Sequence, residues 1–168
     1  MDRCTEKMDR LLELIYENPA KAISVREGAR KTGLSKSTVQ NKIKFLKKEG
    51  ILNNKGAFSN SFYAKFIKTY YYLNKIHKSG LIGFLIKHAN PSAIILFGSF
   101  AKGESVAESD IDLFVEATKK KDVALIHYER KLKHEIQLFT ESDIKKLPDE
   151  LFNNVVNGIK LYGYFDAR

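Results

Sequence analysis

The chain has a single cysteine, Cys4, in 168 residues. A lone cysteine cannot close an internal disulfide, which fits a reducing compartment. No apolar run reaches the roughly 18 residues that a membrane helix needs, and the N-terminus has no apolar signal-type core. Neither a membrane span nor export is therefore expected, and the expected location is cytoplasmic. The histidines (His77, His88, His127 and His134) lack zinc-ligand spacing and read as scattered surface or helix residues. Internal repeats and low-complexity tracts are absent. Hydrophobic residues still make up 43% of the chain, enough for packed cores, so global disorder is excluded. The length allows one large domain or two small ones.

Acidic residues are missing from one region. Residues 61–90 hold 5 Lys and no Asp or Glu. Residues 1–60 hold 13 Lys and Arg against 7 acids, whereas residues 91–168 hold 11 against 13. The net charge of +9 thus sits in the front half. Such asymmetry points to a polyanion as the partner of that half, most simply nucleic acid.

The front half reads as helices. Met8, Leu11, Leu12, Leu14 and Ile15 recur at helical spacing from Thr5, a candidate N-cap, to Glu17, and Asn18-Pro19 ends the run. A second helix spans residues 26–31 and closes at Thr32-Gly33. A third opens after Ser35 as its cap, buries Val39, Ile43 and Leu46, and ends at Gly50. Ile51-Leu52 and Ala57-Phe58 then flank the turn residues 53–56, a short hairpin with a basic tip at Lys55. This block resembles a winged helix-turn-helix with Gly33-Leu34-Ser35 as the turn. The resemblance makes the third helix the recognition helix. Lys36, Ser37, Thr38, Gln40, Asn41 and Lys44, together with Lys55, are then the candidate contacts to duplex DNA. The same fold can also serve as a protein-interaction module.

Residues 62–78 contain neither Gly nor Pro and are dense in aromatics: Phe62, Tyr63, Phe66, Tyr70, Tyr71 and Tyr72. They read as one long connecting helix ending at Ser79-Gly80, its aromatic stripe serving a core or a dimer interface. A homodimer is expected, because a two-fold dimer matches a palindromic DNA site. Leu81 to His88 reads as a further helix, broken at Asn90-Pro91.

The back half is organised by residues 93–115. Ala93-Ile94-Ile95-Leu96-Phe97 is short, branched and continuous, the pattern of a strand buried on both faces. It stops at Gly98-Ser99. Further on stand Asp110-Ile111-Asp112-Leu113-Phe114-Val115. On a strand Asp110 and Asp112 share one face while Ile111 and Leu113 point into a core. Two adjacent carboxylates repel each other unless a divalent cation lies between them, and hard oxygen ligands suit Mg²⁺ or Mn²⁺. The glycine permits close approach of a phosphate, and Lys102 adds positive charge. Beyond these lie a basic turn at residues 118–122, a helix over 123–133, a strand at Ile136-Gln137-Leu138-Phe139, short helices over 143–147 and 149–156, and a closing strand over 159–162. The pattern is α/β (α+β) with a small mixed sheet.

Gly98-Ser99 followed at this spacing by Asp110-Ile111-Asp112-Leu113 resembles the signature of the DNA polymerase beta-like nucleotidyltransferases, in their minimal form. The resemblance runs from about Leu81 to the C-terminus. The division it implies is a winged helix-turn-helix over 1–63, a connecting helix over 64–80 and a nucleotidyltransferase domain over 81–168. It further implies transfer of a nucleoside monophosphate from a metal–nucleoside triphosphate to a hydroxyl. Asp110 and Asp112 are then catalytic and hold metal. Gly98, Ser99, Lys102, Gly103 and Ser109 bind the nucleotide, and a protein is one possible acceptor. A third carboxylate belongs on the strand after the helix, but this chain has Gln137 there. A neutral amide coordinates a metal weakly and cannot take a proton. Glu135 shares the face of Gln137 and is the candidate substitute. The alternative is a DNA-binding regulator whose nucleotide-binding domain is weak or inactive.

Overall fold

The computed structural model describes residues 3–118 and 124–166. The chain divides into two units. The first runs to Lys68 and includes Ser105–Glu108; the second comprises Thr69–Glu104 and the chain from Ser109 onward. The boundaries expected at 63 and 80 bracket the first of these crossings.

Capping and apolar spacing set the first unit. Helix α1 (Arg3–Glu17) buries Leu11, Ile15 and Tyr16. Thr5, expected as its cap, lies inside the helix. Helix α2 (Val25–Thr32) starts where the Ser24 side chain accepts from the Glu27 N–H. It stops at Gly33, whose φ of 69° is left-handed and favours glycine. Helix α3 (Lys36–Lys48) is capped by Ser35, whose hydroxyl accepts from the Thr38 N–H at 3.1 Å. Val39 and Leu46 are buried on its inner face, with Ile43 half-buried. The hairpin is reduced to one antiparallel bridge, Leu52 to Phe58. Its tip is held to α3 by Lys47, which donates to the Asn54 carbonyl at 2.8 Å.

Helix α4 (Phe62–Ser79) is one continuous helix. Its inner face is Ala64, Lys68, Tyr72 and Ile76, spaced four apart and all buried. The aromatic run therefore splits: Tyr72 enters the core, while Phe62, Tyr63, Phe66 and Tyr70 stay exposed.

The second unit contains helix α5 (Leu81–Ala89), with Leu81, Ile82 and Leu85 buried, and a sheet. Strand β1 (Ala93–Phe97) is buried throughout, as its apolar run requires. Helix α6 (Gly98–Lys102) follows it directly, and strand β2 (Ile111–Glu116) pairs antiparallel with β1. Helix α7 (Ile126–Leu132) leads to strand β3 (Ile136–Glu141), parallel to β2. A 3₁₀ turn (Ile144–Lys146), helix α8 (Asp149–Val156) and strand β4 (Ile159–Gly163) complete the chain, and β4 pairs antiparallel with β1. The order β3-β2-β1-β4 makes a four-stranded mixed sheet. The expected lysine turn at residues 119–121 lies outside the described residues.

Beyond Asp112, β2 is buried on both faces, as β1 is, which the two-residue alternation at Asp110–Leu113 did not anticipate; β3 and β4 are mostly half-buried or exposed. Residues paired across strands share a face. Ile95 faces Phe114, and Phe97 faces Asp112. Ile95, Phe97 and Phe114 form a core with Ile144 and Val155, packed against Phe139. On β2 the Asp-bearing face carries Asp112 at its start, the buried Phe114 in the middle and the buried Glu116 at its end. Leu138, expected to point inward, is half-buried.

Candidate active site

The site forms where β1 ends and β2 begins. Strand register sets Phe97, Asp112 and Gln137 in one row across β1, β2 and β3. Asp110 stands two residues before Asp112, so its side chain projects on the same side. Both are half-buried. Gly98 turns the chain off β1 at φ 68°, in the left-handed region. A Cβ at Gly98 would overlap the Asp112 carboxylate, which therefore lies against the bare α-carbon. Burial, and then the negative charge of Asp110, push the Asp112 carboxyl above its ordinary value. A divalent cation would relieve both effects, and two carboxylates suit Mg²⁺ or Mn²⁺.

The third position is an amide. The Gln137 side-chain nitrogen donates to Asp110 Oδ2 at 2.5 Å. Glu135 lies just ahead of β3, and its backbone carbonyl accepts from the Ile111 N–H at 2.8 Å. Its side chain is exposed. Among the described residues, no three or more His, Cys, Asp or Glu are grouped so as to hold a metal ion. The fold therefore brings Asp110, Asp112 and Gln137 together without gathering Glu135 into a three-carboxylate cluster.

Residues 80–164 match the family described as Polymerase beta, Nucleotidyltransferase. The chain belongs to this nucleotidyltransferase family. Residues 7–53 match Winged helix-turn-helix DNA-binding, a stretch that begins within α1 and includes α2 and α3. No curated protein and no solved structure matches the chain significantly.

The other candidate residues of the nucleotidyltransferase domain lie on α6 and the loop after it. Gly98, Ser99 and Lys102 belong to α6, where Ser99 is half-buried and Lys102 exposed. Gly103 closes the helix, and the Ser99 carbonyl accepts from the Glu104 N–H at 2.9 Å. Ser109 directly precedes Asp110. Its carbonyl lies 2.9 Å from His134 Nδ1. His134 was expected as a scattered surface or helix residue. It is buried, and its ring meets those of Tyr72 and Phe100 edge-on. Its anchor on Ser109 bears on where Asp110 sits.

Glu116 is a further carboxylate on the Asp-bearing face of β2, but it is already in use. It accepts from the Ser92 hydroxyl at 2.6 Å and from the Ile144 N–H at 3.0 Å, and so ties β1 to the 3₁₀ turn. Among the DNA-contact candidates, Lys36, Ser37, Gln40, Asn41 and Lys44 lie exposed on α3 and Lys55 on the hairpin tip. Thr38 is half-buried, and its hydroxyl lies 2.8 Å from that of Ser35. Thr38 thus serves the cap first.

Sequence reasoning missed Lys68. It is fully buried and donates to the carbonyls of Tyr16, at 2.7 Å, and of Ser105. Its ammonium also lies 5.1 Å from the centre of the Phe58 ring and 5.9 Å from that of Tyr16. Burial pulls its pKa down to about 8. The available signal was its place in the inward stripe between Ala64 and Tyr72.

Proposed function

We propose that this chain acts in the cytoplasm as a DNA-binding nucleotidyltransferase. It would transfer a nucleoside monophosphate from Mg²⁺– or Mn²⁺–nucleoside triphosphate to a hydroxyl on a protein or nucleic acid. The observation that carries this reading is the Asp110–Asp112 pair set against the bare α-carbon of Gly98. Asp110 and Asp112 would hold the divalent ion. When bound, that ion supplies charge neutralisation on the triphosphate and on the attacking and leaving oxygens. Gly98 and Ser99 offer backbone N–H and hydroxyl groups to the phosphates, and Lys102 offers charge to the leaving group. The acceptor oxygen bonds to the α-phosphorus, the α–β phosphoanhydride bond breaks, pyrophosphate leaves, and the hydroxyl proton passes to solvent. The N-terminal unit would meet duplex DNA through α3 and Lys55. A homodimer fits this role, since paired recognition helices read an inverted repeat.

A second reading is favoured by one observation, the Gln137 amide on Asp110. An amide there removes the residue that could accept the proton. The domain would then bind nucleotide without efficient turnover, and the chain would be a nucleotide-responsive DNA-binding regulator. Incubation with labelled ATP, Mg²⁺ and cell extract separates the two. The transferase reading expects a labelled macromolecule that vanishes with Asp110→Asn/Asp112→Asn. Metal-dependent ATP binding without any label would support the regulator. Unchanged metal-dependent binding in the double variant would remove the site from these aspartates.

A further inference from the structure

The outer face of α4 leaves four aromatic side chains exposed. Phe62 is 86% exposed, Tyr63 49%, Phe66 57% and Tyr70 64%. Phe62, Phe66 and Tyr70 are spaced four apart, so they form one stripe along the helix. The buried stripe of Ala64, Lys68, Tyr72 and Ile76 lies on the other side. A surface helix normally shows polar residues opposite its buried face. This one is apolar on both.

We infer that the outer stripe of α4 is a homodimer interface, packed antiparallel against the same stripe of a second copy about a two-fold axis at Phe66. Three features select a second copy as the occupant. The stripe is self-complementary: Phe62 and Tyr70 lie equally far from Phe66 along the helix. A two-fold axis there sets Phe62 of each copy against Tyr70 of the other, and Phe66 against Phe66, as an isologous interface requires. The stripe is also uncharged. The lysines of α4, at 65, 68, 75 and 78, are not members of the row Phe62, Phe66 and Tyr70. The area reaches what a weak dimer needs. An aromatic residue buries roughly 150–250 Å². At the observed exposures, the four side chains would bury about 500 Å² per copy. Two copies with all four side chains fully covered reach about 1,000 Å², the minimum for a biological interface and the range of weak dimers.

This inference rests on the DNA-binding reading only for its purpose, which is to pair two α3 helices on an inverted repeat. Its test needs no DNA. Sedimentation of the full chain at micromolar concentration is expected to give twice 19.2 kDa. Phe66→Glu, which sets two carboxylates on the proposed axis, is expected to give 19.2 kDa with an unchanged far-UV spectrum. Phe45→Ser removes an exposed aromatic from α3 and is expected to leave the dimer intact. If Phe66→Glu fails to fold, Tyr70→Lys serves in its place. A wild-type chain of single mass would overturn the inference and leave the stripe to a different protein. A Phe66→Glu or Tyr70→Lys variant that stays dimeric would move the interface elsewhere and equally overturn it. DNA binding measured separately distinguishes failure of the dimer from failure of the DNA-binding reading.

Discussion

Lys68 makes the stability of the first unit depend on alkaline pH in a direction that can be worked out. The folded pKa is about 8, against an ordinary 10.5. Between these values the unfolded chain holds the proton and the folded one does not. Unfolding then takes up a proton, so stability rises with pH across that window. The whole shift corresponds to about 3 kcal/mol, of which about 2 kcal/mol falls between pH 8 and pH 10. The neutral amine keeps two N–H donors, enough for the Tyr16 and Ser105 carbonyls, so deprotonation costs no hydrogen bond. Tyr16 sets the upper limit. Its burial raises its pKa to about 12, so above pH 10 the unfolded chain loses that proton first and stability falls again. Urea unfolding at stepped pH, followed by far-UV dichroism, is the assay, with Lys68→Met as the reference. Methionine fills similar volume but orphans two carbonyls, which lowers the whole curve by about 1–3 kcal/mol for each. The decisive quantity is the difference between the two curves, which should grow by about 2 kcal/mol from pH 8 to pH 10. Parallel curves would refute the argument, because they would mean that Lys68 titrates alike in both states.

Other consequences can be checked one by one. Gly98→Ala should weaken Mn²⁺–ATP binding about tenfold or more by calorimetry, because its Cβ displaces Asp112 and left-handed backbone costs an L-residue about 1–2 kcal/mol. Gln137→Asp should raise Mn²⁺ affinity and any transferase turnover, while Glu135→Gln should leave affinity unchanged; a loss of turnover in the latter would make Glu135 the substitute carboxylate. Duplex DNA binding should fall with salt at a log–log slope near −5 if about six phosphates are neutralised. Lys44→Ala should make that slope shallower by about one, and a salt-insensitive interaction would favour a protein-binding role for the first unit.

Much of the fold was legible because its signals are local. Ser35 caps a helix through a contact three residues away, and Gly33 stops a helix through its own φ. The continuous run at β1 declared its burial on both faces. The acidic pair was legible too, since parity alone puts Asp110 and Asp112 on one side. What escaped depends on partners distant in sequence. Lys68 looks like any helix lysine until Tyr16 and Ser105, 52 and 37 residues away, supply its acceptors. His134 reads as a scattered surface or helix residue until the chain ahead of β3 sets it against Ser109. The exposure of Phe66 and Tyr70 was hidden for a different reason. Aromatic density reports that burial is needed and does not say whether this chain or another supplies it.

The chain passes from one unit to the other at Lys68, returns at Ser105 and leaves again after Glu108. No single cut therefore separates the two. A fragment ending at Lys68 would keep a buried ammonium and lose the Ser105 carbonyl that it binds. A fragment starting at Thr69 would keep both aspartates and lose the packing under the residues just ahead of them. A gene fusion or truncation that treats the halves as interchangeable modules would break both, so the pair has to be inherited, moved or engineered whole.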